Sequence, residues 1–228
     1  MNLATVSNSS KPAHRRPGPL GILAVDLFYL LALVPVAVRA LWNMATKRKG
    51  RRGWWGKWGI GFARATRGLS APCLWVHAVS VGEVRAAVPV VAALRRRFPE
   101  IPIAVSTTTE TGHETALRVL PGCTVIWFPW DFSFLVARWL RRLRPRLIVL
   151  IEGDLWPNLI RMAARRGIPV AVINGKLSDR SSRRYRRLLR SPLAPLVRAL
   201  WGPISALCVQ TDLDRERLAP LVGDASRV

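Results

Sequence analysis

From residue 73 onward, short runs of consecutive apolar residues rich in valine and isoleucine alternate with longer stretches whose apolar positions recur at helical spacing. The runs predict strands at Leu74–His77, Ile103–Thr107, Val125–Phe128, Leu147–Ile151, Val170–Ile173 and Ala206–Val209. Between and after them the spacing predicts helices over 84–97, 112–119, 132–143, 157–166, 181–200 and 212–221. Strands that are apolar on both faces, separated by helices, are the pattern of a parallel sheet covered on both sides. Residues 71–228 therefore read as one α/β, Rossmann-like domain. In such sheets ligands gather beyond the carboxyl ends of the strands, so the residues that follow each strand are the place to look for chemistry.

The first seventy residues have a different texture. Residues 1–19 are polar and proline-rich and read as a flexible tail, and Leu20 to Val38 is an apolar stretch interrupted by Asp26 and Pro35. As a helix it is about one bilayer thick. Residues 20–43 are thus expected to form a membrane-anchor helix, either spanning the bilayer or lying half-buried in its interface. The long apolar core and the lack of a clean small-residue cleavage site argue against a signal peptide. Asp26 is costly in lipid and must lie near an interface or find a partner. Residues 44–70 follow as a basic, Trp-rich segment: Lys47, Arg48, Lys49, Arg51, Arg52, Lys57, Arg64 and Arg67 interleave with Trp54, Trp55 and Trp58, with no acidic residue among them. Cations mixed with indoles suit an anionic membrane surface, and positive charge on this side of the apolar stretch places the following domain in the cytoplasm.

Charge extends that picture to the whole chain. Thirty-six Lys and Arg against thirteen Asp and Glu leave a formal +23, which points to a polyanionic partner or to a general arginine bias. Nucleic acid would also suit the charge, but no nucleic-acid-binding motif accompanies it. Cys73, Cys123 and Cys208 are widely spaced and sit in or beside apolar runs, which predicts free thiols and no disulfide framework. Walker, G-x-G-x-x-G, H-E-x-x-H and zinc-knuckle patterns are absent from the sequence, so nucleotide hydrolysis, dehydrogenase chemistry and zinc catalysis have no support in it, and no metal site is expected.

Polar clusters follow four of the predicted strands. After Leu74–His77 comes Ala78-Val79-Ser80-Val81-Gly82-Glu83, where Gly82 permits a tight turn into a helix and Glu83 stands at the helix start. There a carboxylate either complements the helix dipole or, if burial raises its pKa, acts as a general base toward a hydroxyl. Ser106-Thr107-Thr108-Thr109-Glu110-Thr111-Gly112 brings hydroxyls that can cap a helix or bind sugar hydroxyls. Glu152-Gly153-Asp154-Leu155-Trp156-Pro157-Asn158 places two carboxylates just beyond an apolar strand, where they need pairing or solvent, and Pro157 opens the next helix. Asn174-Gly175-Lys176-Leu177-Ser178-Asp179-Arg180-Ser181 carries amide, cation and hydroxyl groups suited to a phosphate or carboxylate.

These clusters, in this order, resemble the N-terminal domain of the Kdo transferases, the enzymes that add 3-deoxy-D-manno-octulosonic acid to the lipid A precursor. The resemblance rests on the apolar N-terminal stretch, HAVSVGE at 77–83, STTTETG at 106–112, FPWD at 128–131, the segment 152–158, NGKLSDRS at 174–181 and Val209-Gln210-Thr211. It implies the acceptor-binding half of a GT-B-type glycosyltransferase of two Rossmann-like domains, with the donor half expected beyond Val228. It also implies an inverting transfer of Kdo from CMP-Kdo to a glucosamine hydroxyl of lipid IVA, with no metal or cofactor. Glu83 matches the family's catalytic base and Glu152 a transition-state stabiliser. Substrate contacts are expected at Ser80, Gly82, Thr107, Thr109, Thr111, Gly112, Asp154, Trp156, Asn158, Asn174, Lys176 and Ser178. The implied location is the cytoplasmic side of the inner membrane, with the oligomeric state open. The alternative is a catalytically inactive lipid-binding module at the membrane surface. Four positions depart from the family pattern: Gly153-Asp154 stands for Thr-Glu, Glu110 for Pro, and Lys176 for Arg, whose bidentate contact a lysine cannot reproduce.

Overall fold

The computed structural model describes residues 26, 27, 30, 51–153 and 155–228. Six strands form one parallel sheet: β1 (Leu74–His77), β2 (Ile103–Thr107), β3 (Thr124–Trp127), β4 (Leu147–Ile151), β5 (Val170–Gly175) and β6 (Ala206–Val209), in the spatial order β3-β2-β1-β4-β5-β6. The chain steps outward from β1 to β3, then returns to the other side of β1 and steps outward again. Strand order therefore reverses between β1 and β4, and that reversal opens a crevice at their carboxyl ends. All six expected strands are present. β3 begins one residue early, at Thr124, and β5 runs on to Gly175 through an irregularity between Ile173 and Gly175.

Strand side chains alternate between two cores. Leu74 and Val76 of β1 join a cluster with Ile103, Val105, Val149 and Ile151, covered by the helices Val81–Arg97 and Glu110–Val119. Trp75 faces the opposite core, with Ala104, Ile126, Ile148, Leu150, Val170 and Val172, beneath the helices Ser133–Leu143 and Pro157–Arg165. Trp75 and Trp139 are fully buried there.

The predicted helix over 181–200 is two helices, Asp179–Leu189 and Ala194–Trp201. Ser191-Pro192 separates them, because proline removes a ladder donor and disfavours the helical conformation in the residue before it.

The basic Trp-rich segment, expected to lie on a membrane surface, also forms helices, Arg51–Lys57 and Phe62–Ala65, and packs on the sheet edge at β3. Gly56 makes that approach possible, since a Cβ there would sit 2.1 Å from Cδ1 of Trp127. Phe62 stacks on Trp139 at 3.9 Å, and Lys57 lies over Trp130 at 4.8 Å. Glu110 accepts hydrogen bonds from the backbone N–H groups of Arg52 and Gly53, which gives this departure from the family pattern a role as a remote cap for the helix Arg51–Lys57.

The anchor expected over 20–43 lies outside the described residues apart from Asp26, Leu27 and Leu30. Among the described residues no helix is long and apolar enough to cross a membrane. Asp26 has polar partners: Oδ1 accepts from the Ser133 backbone at 3.0 Å and from Asn158 Nδ2 at 2.8 Å, and Oδ2 accepts from the Ser133 hydroxyl.

Candidate functional site

Parallel pairing of β1 with β4 sets His77 opposite Leu150, so the loops that carry Glu83 and Glu152 leave the sheet side by side at the crevice. Ser80 is the N-cap of the helix Val81–Arg97 and Glu83 sits in its first turn. Glu83 is 7% exposed; its Oε2 accepts from the Val79 backbone at 2.8 Å and its Oε1 from the Ser80 hydroxyl at 3.1 Å. This is close to a capping box, and it holds the carboxylate at the mouth of the turn. Gly82 is exposed, and a Cβ built on it would meet only Ser80 Oγ, at 3.9 Å. The fold has no steric need for glycine there.

The threonine cluster supports this loop from below. Thr108 and Thr109 both donate to the Val79 carbonyl, through their hydroxyls at 3.2 and 3.1 Å and through their backbone N–H groups at 3.3 Å. Thr109 also caps the helix Glu110–Val119, its hydroxyl accepting from the Gly112 N–H at 3.1 Å. Gly112 is required by close approach: a Cβ there would lie 2.7 Å from Thr109 Oγ1 and 3.2 Å from the Val79 carbonyl. Thr107 is fully buried against His113 Nδ1 at 3.2 Å, while Thr111 is exposed.

His77 is sealed beneath the same loop. It is 2% exposed and stacks on Phe128 at 3.9 Å, and its Nδ1 meets the Ser106 carbonyl at 3.1 Å and the Ser106 hydroxyl at 2.9 Å. The carbonyl can only accept, so that contact places the proton on Nδ1. Burial, assisted by the Lys57 charge and opposed by the Ser106 hydrogen bond, pushes the imidazole pKa down to about 3. Trp156 packs edge-on to this ring at 5.4 Å and against Phe128 at 4.4 Å, and so belongs to the aromatic floor of the crevice.

On the β4 side, Glu152 takes a left-handed conformation with φ of 68°, and Asn174, at the end of β5, does the same with φ of 65°. Such conformations in residues other than glycine cost about 1 kcal/mol or more and collect at functional sites. Lys176 Nζ lies 2.9 Å from Glu152 Oε2, Asn174 Nδ2 makes a long contact of 3.5 Å to Oε1, and Gln210 Nε2 donates to Asn174 Oδ1 at 2.5 Å. A polar line thus crosses the ends of β4, β5 and β6. Gln210 was not among the expected site residues; its place one residue beyond β6, within the Val209-Gln210-Thr211 motif, marks it. Ser178 caps the helix Asp179–Leu189 and accepts from the Ser181 N–H at 3.3 Å.

Asn158 is drawn inward. It is fully buried, its Nδ2 donates to Asp26 Oδ1 and to the Asp131 carbonyl, and its backbone N–H donates to Asp131 Oδ2. Asp131 also accepts from the Leu159 N–H at 2.9 Å and so caps the helix Pro157–Arg165 from across the fold. Asp154 lies outside the described residues. The structure therefore brings Ser80, Gly82, Glu152, Asn174 and Lys176 to the strand ends as exposed or partly exposed groups, keeps Glu83 buried among them, and uses Thr107, Thr109, Gly112 and Asn158 to hold the loops that carry them.

Comparison with known proteins matches residues 52–228 to the family described as 3-Deoxy-D-manno-octulosonic-acid transferase (kdotransferase). A 3-deoxy-D-manno-octulosonic acid transferase of Bordetella pertussis is 35% identical over 214 residues, covering 87% of this chain and 46% of the relative. The transferase of the same name from Chlamydia pneumoniae is 37% identical over 152 residues, covering 66% of this chain and 34% of the relative. That of Haemophilus influenzae is 34% identical over 150 residues, covering 65% and 34%. The chain thus spans less than half the length of the relatives it matches.

Proposed function

The chain belongs to the 3-deoxy-D-manno-octulosonic-acid transferase family, and from that premise we propose that it forms the acceptor-binding side of an inverting glycosyltransferase. The donor is CMP-Kdo, held mainly by the remaining length of the family fold, and the acceptor is a glucosamine hydroxyl of lipid IVA. Glu83 takes the proton of that hydroxyl as its oxygen attacks the anomeric carbon of Kdo from the face opposite CMP. The bond to CMP breaks with its electron pair leaving on the phosphate. Positive charge develops on the Kdo ring in the transition state, and Glu152 faces it. The reaction as written needs no resident metal or cofactor. The observation that carries this reading is the placement of two carboxylates just beyond the adjacent strands β1 and β4, at the topological switch point.

The acceptor is an anionic amphiphile, and the chain has features to meet it. Trp55 and Ile60 are 49% and 63% exposed beside the basic residues of the first helices, a composition that suits the anionic cytoplasmic face of the inner membrane. The test is release of CMP from CMP-Kdo in the presence of lipid IVA, using the longest product of the reading frame that carries this chain. Acceptor-dependent CMP release supports the transferase. Binding of lipid IVA vesicles without CMP release would instead support the inactive lipid-binding module.

A further inference from the structure

Glu152, just beyond β4, Asn174, within the end of β5, and Gln210, just beyond β6, form one hydrogen-bonded line across three neighbouring strands. Gln210 has no part in the chemistry proposed above. Its partner is unusually placed. Ile173 pairs with Cys208 and Gly175 with Val209, so Asn174 is one residue more than β6 can match, as in a β-bulge. Bulges re-aim a side chain and are over-represented beside active sites. This one is firmly seated: the Gln210 N–H donates to the Gly175 carbonyl at 3.3 Å, and a Cβ on Gly175 would lie 3.0 Å from Leu207 Cδ1. We infer that Gln210 is a positioning residue for transfer, which acts through the Asn174 amide to hold the Glu152 carboxylate toward the reacting sugar.

An amide has an accepting end and a donating end. Gln210 Nε2 donates to Asn174 Oδ1 at 2.5 Å, which takes the accepting end and leaves Nδ2 turned to Glu152 Oε1 at 3.5 Å. The other carboxylate oxygen, Oε2, meets Lys176 Nζ at 2.9 Å. The lysine is a half-exposed cation on a flexible stem and can follow the carboxylate as it turns. Asn174 cannot, because its backbone is held at φ of 65° within the bulge. The direction of Glu152 is therefore set from the Asn174 side, and the direction of the Asn174 amide from Gln210. Gln210 is exposed, and a hydrogen bond between exposed amides adds little to stability, so the consequence of this pair is orientation. Orientation is what a carboxylate needs if it is to oppose positive charge at the moment that charge develops.

The chemistry of the side chain at this position gives the inference a signature. Gln210→Glu keeps the length of the side chain but supplies only acceptors. It would draw Asn174 Nδ2 to itself and turn Oδ1 to Glu152, so that acceptor faces acceptor. Gln210→Met is of similar length and leaves the amide without a guide. Gln210→Glu should therefore impair transfer more than Gln210→Met, an order that the loss of a surface contact alone does not give.

The inference rests on the transferase reading for the role of Glu152, and the experiment has two arms. The first measures Kdo transfer to lipid IVA by the longest product of the reading frame. Gln210→Met should lower kcat about tenfold and Gln210→Glu about a hundredfold, each with KM for the acceptor within about twofold of native and an unchanged melting temperature. In an Asn174→Ala background both should change kcat by less than about twofold, because the line is already broken. The second arm follows the Asn174 side-chain amide resonances in the 228-residue chain, assigned by their loss in Asn174→Ala, as the pH falls from about 7 to about 4, where carboxylates take up protons. Glu152→Gln should abolish their pH-dependent shift in the native background and leave it in place in Gln210→Glu, where the amide has turned to the new carboxylate. Native kcat in both variants, a Gln210→Glu variant no worse than Gln210→Met, or losses additive with Asn174→Ala would overturn the inference. So would amide resonances that ignore Glu152→Gln in the native background, or that lose their shift to it in Gln210→Glu as well. Absence of transfer by the native protein would sink the transferase reading alone, and the amide resonances would still decide whether Gln210 turns Asn174 to Glu152.

Discussion

Lowering the pH from 7.5 to 5 should destabilise this fold through His77, even though the residue lies far from solvent. Its folded pKa is about 3 and the ordinary value is 6.5, so between those limits the unfolded chain binds a proton that the folded chain refuses. Stability then rises with pH across that window; the contribution is complete above 6.5 and is lost progressively as the pH falls toward 3. At pH 5 the unfolded imidazole is about 30 times more protonated than neutral, which lowers the unfolding free energy by about 2 kcal/mol. His113, whose pKa burial also lowers, adds in the same direction. Urea unfolding of the chain at pH 7.5 and pH 5 measures the difference, and His77→Gln, which keeps a polar group but cannot titrate, should remove most of it. Equal midpoints for the native chain at the two pH values, or the same loss in His77→Gln, would refute a neutral, sealed His77.

Other expectations separate groups that hold the site from groups that use it. Gly112→Ala should push the Val79–Ser80 backbone and move Glu83, costing about 1–3 kcal/mol of stability and at least tenfold in transfer rate; Gly82→Ala should leave the melting temperature unchanged while raising KM for the acceptor. Asp131→Ala removes two buried charge-assisted hydrogen bonds from the helix Pro157–Arg165 and should cost about 3 kcal/mol in urea unfolding, with Asp131→Asn losing roughly half as much. Asp26→Ala should expose the N-terminal segment to protease by releasing Ser133 and Asn158, at a cost of about 1–3 kcal/mol.

The sheet was legible because each strand is a short apolar run bounded by turn residues, and the candidate site was sought at its carboxyl edge because ligands of parallel sheets gather there. The edge strand β3 was placed one residue late because it is the least buried of the strands at the Thr124 end, where the pattern is weakest. The break at Ser191-Pro192 was available in the sequence, and the surrounding helix-forming residues hid it. What the sequence could not reveal were long-range partners. The cap that Asp131 supplies to a helix beginning at Pro157, the use of Glu110 by the helix Arg51–Lys57, and the docking of Asp26 all join residues far apart in the chain. Nor do local rules reveal that Thr109 and Asn158 hydrogen-bond within the fold, to the Gly112 N–H and to Asp131 and Asp26.

The carboxylate of Glu83 has two readings at one position, a helix cap and a general base, and one substitution separates them. Glutamine serves in a capping box about as well as glutamate, but it cannot accept a proton. The decisive measurement is the single-turnover rate of Kdo transfer to lipid IVA by Glu83→Gln in the longest product of the reading frame, with urea stability measured on the same preparation. The account predicts a rate at least a thousandfold below that of the native protein with stability within about 1 kcal/mol. A variant that transfers Kdo at the native rate, or that loses its activity only together with its fold, would contradict it.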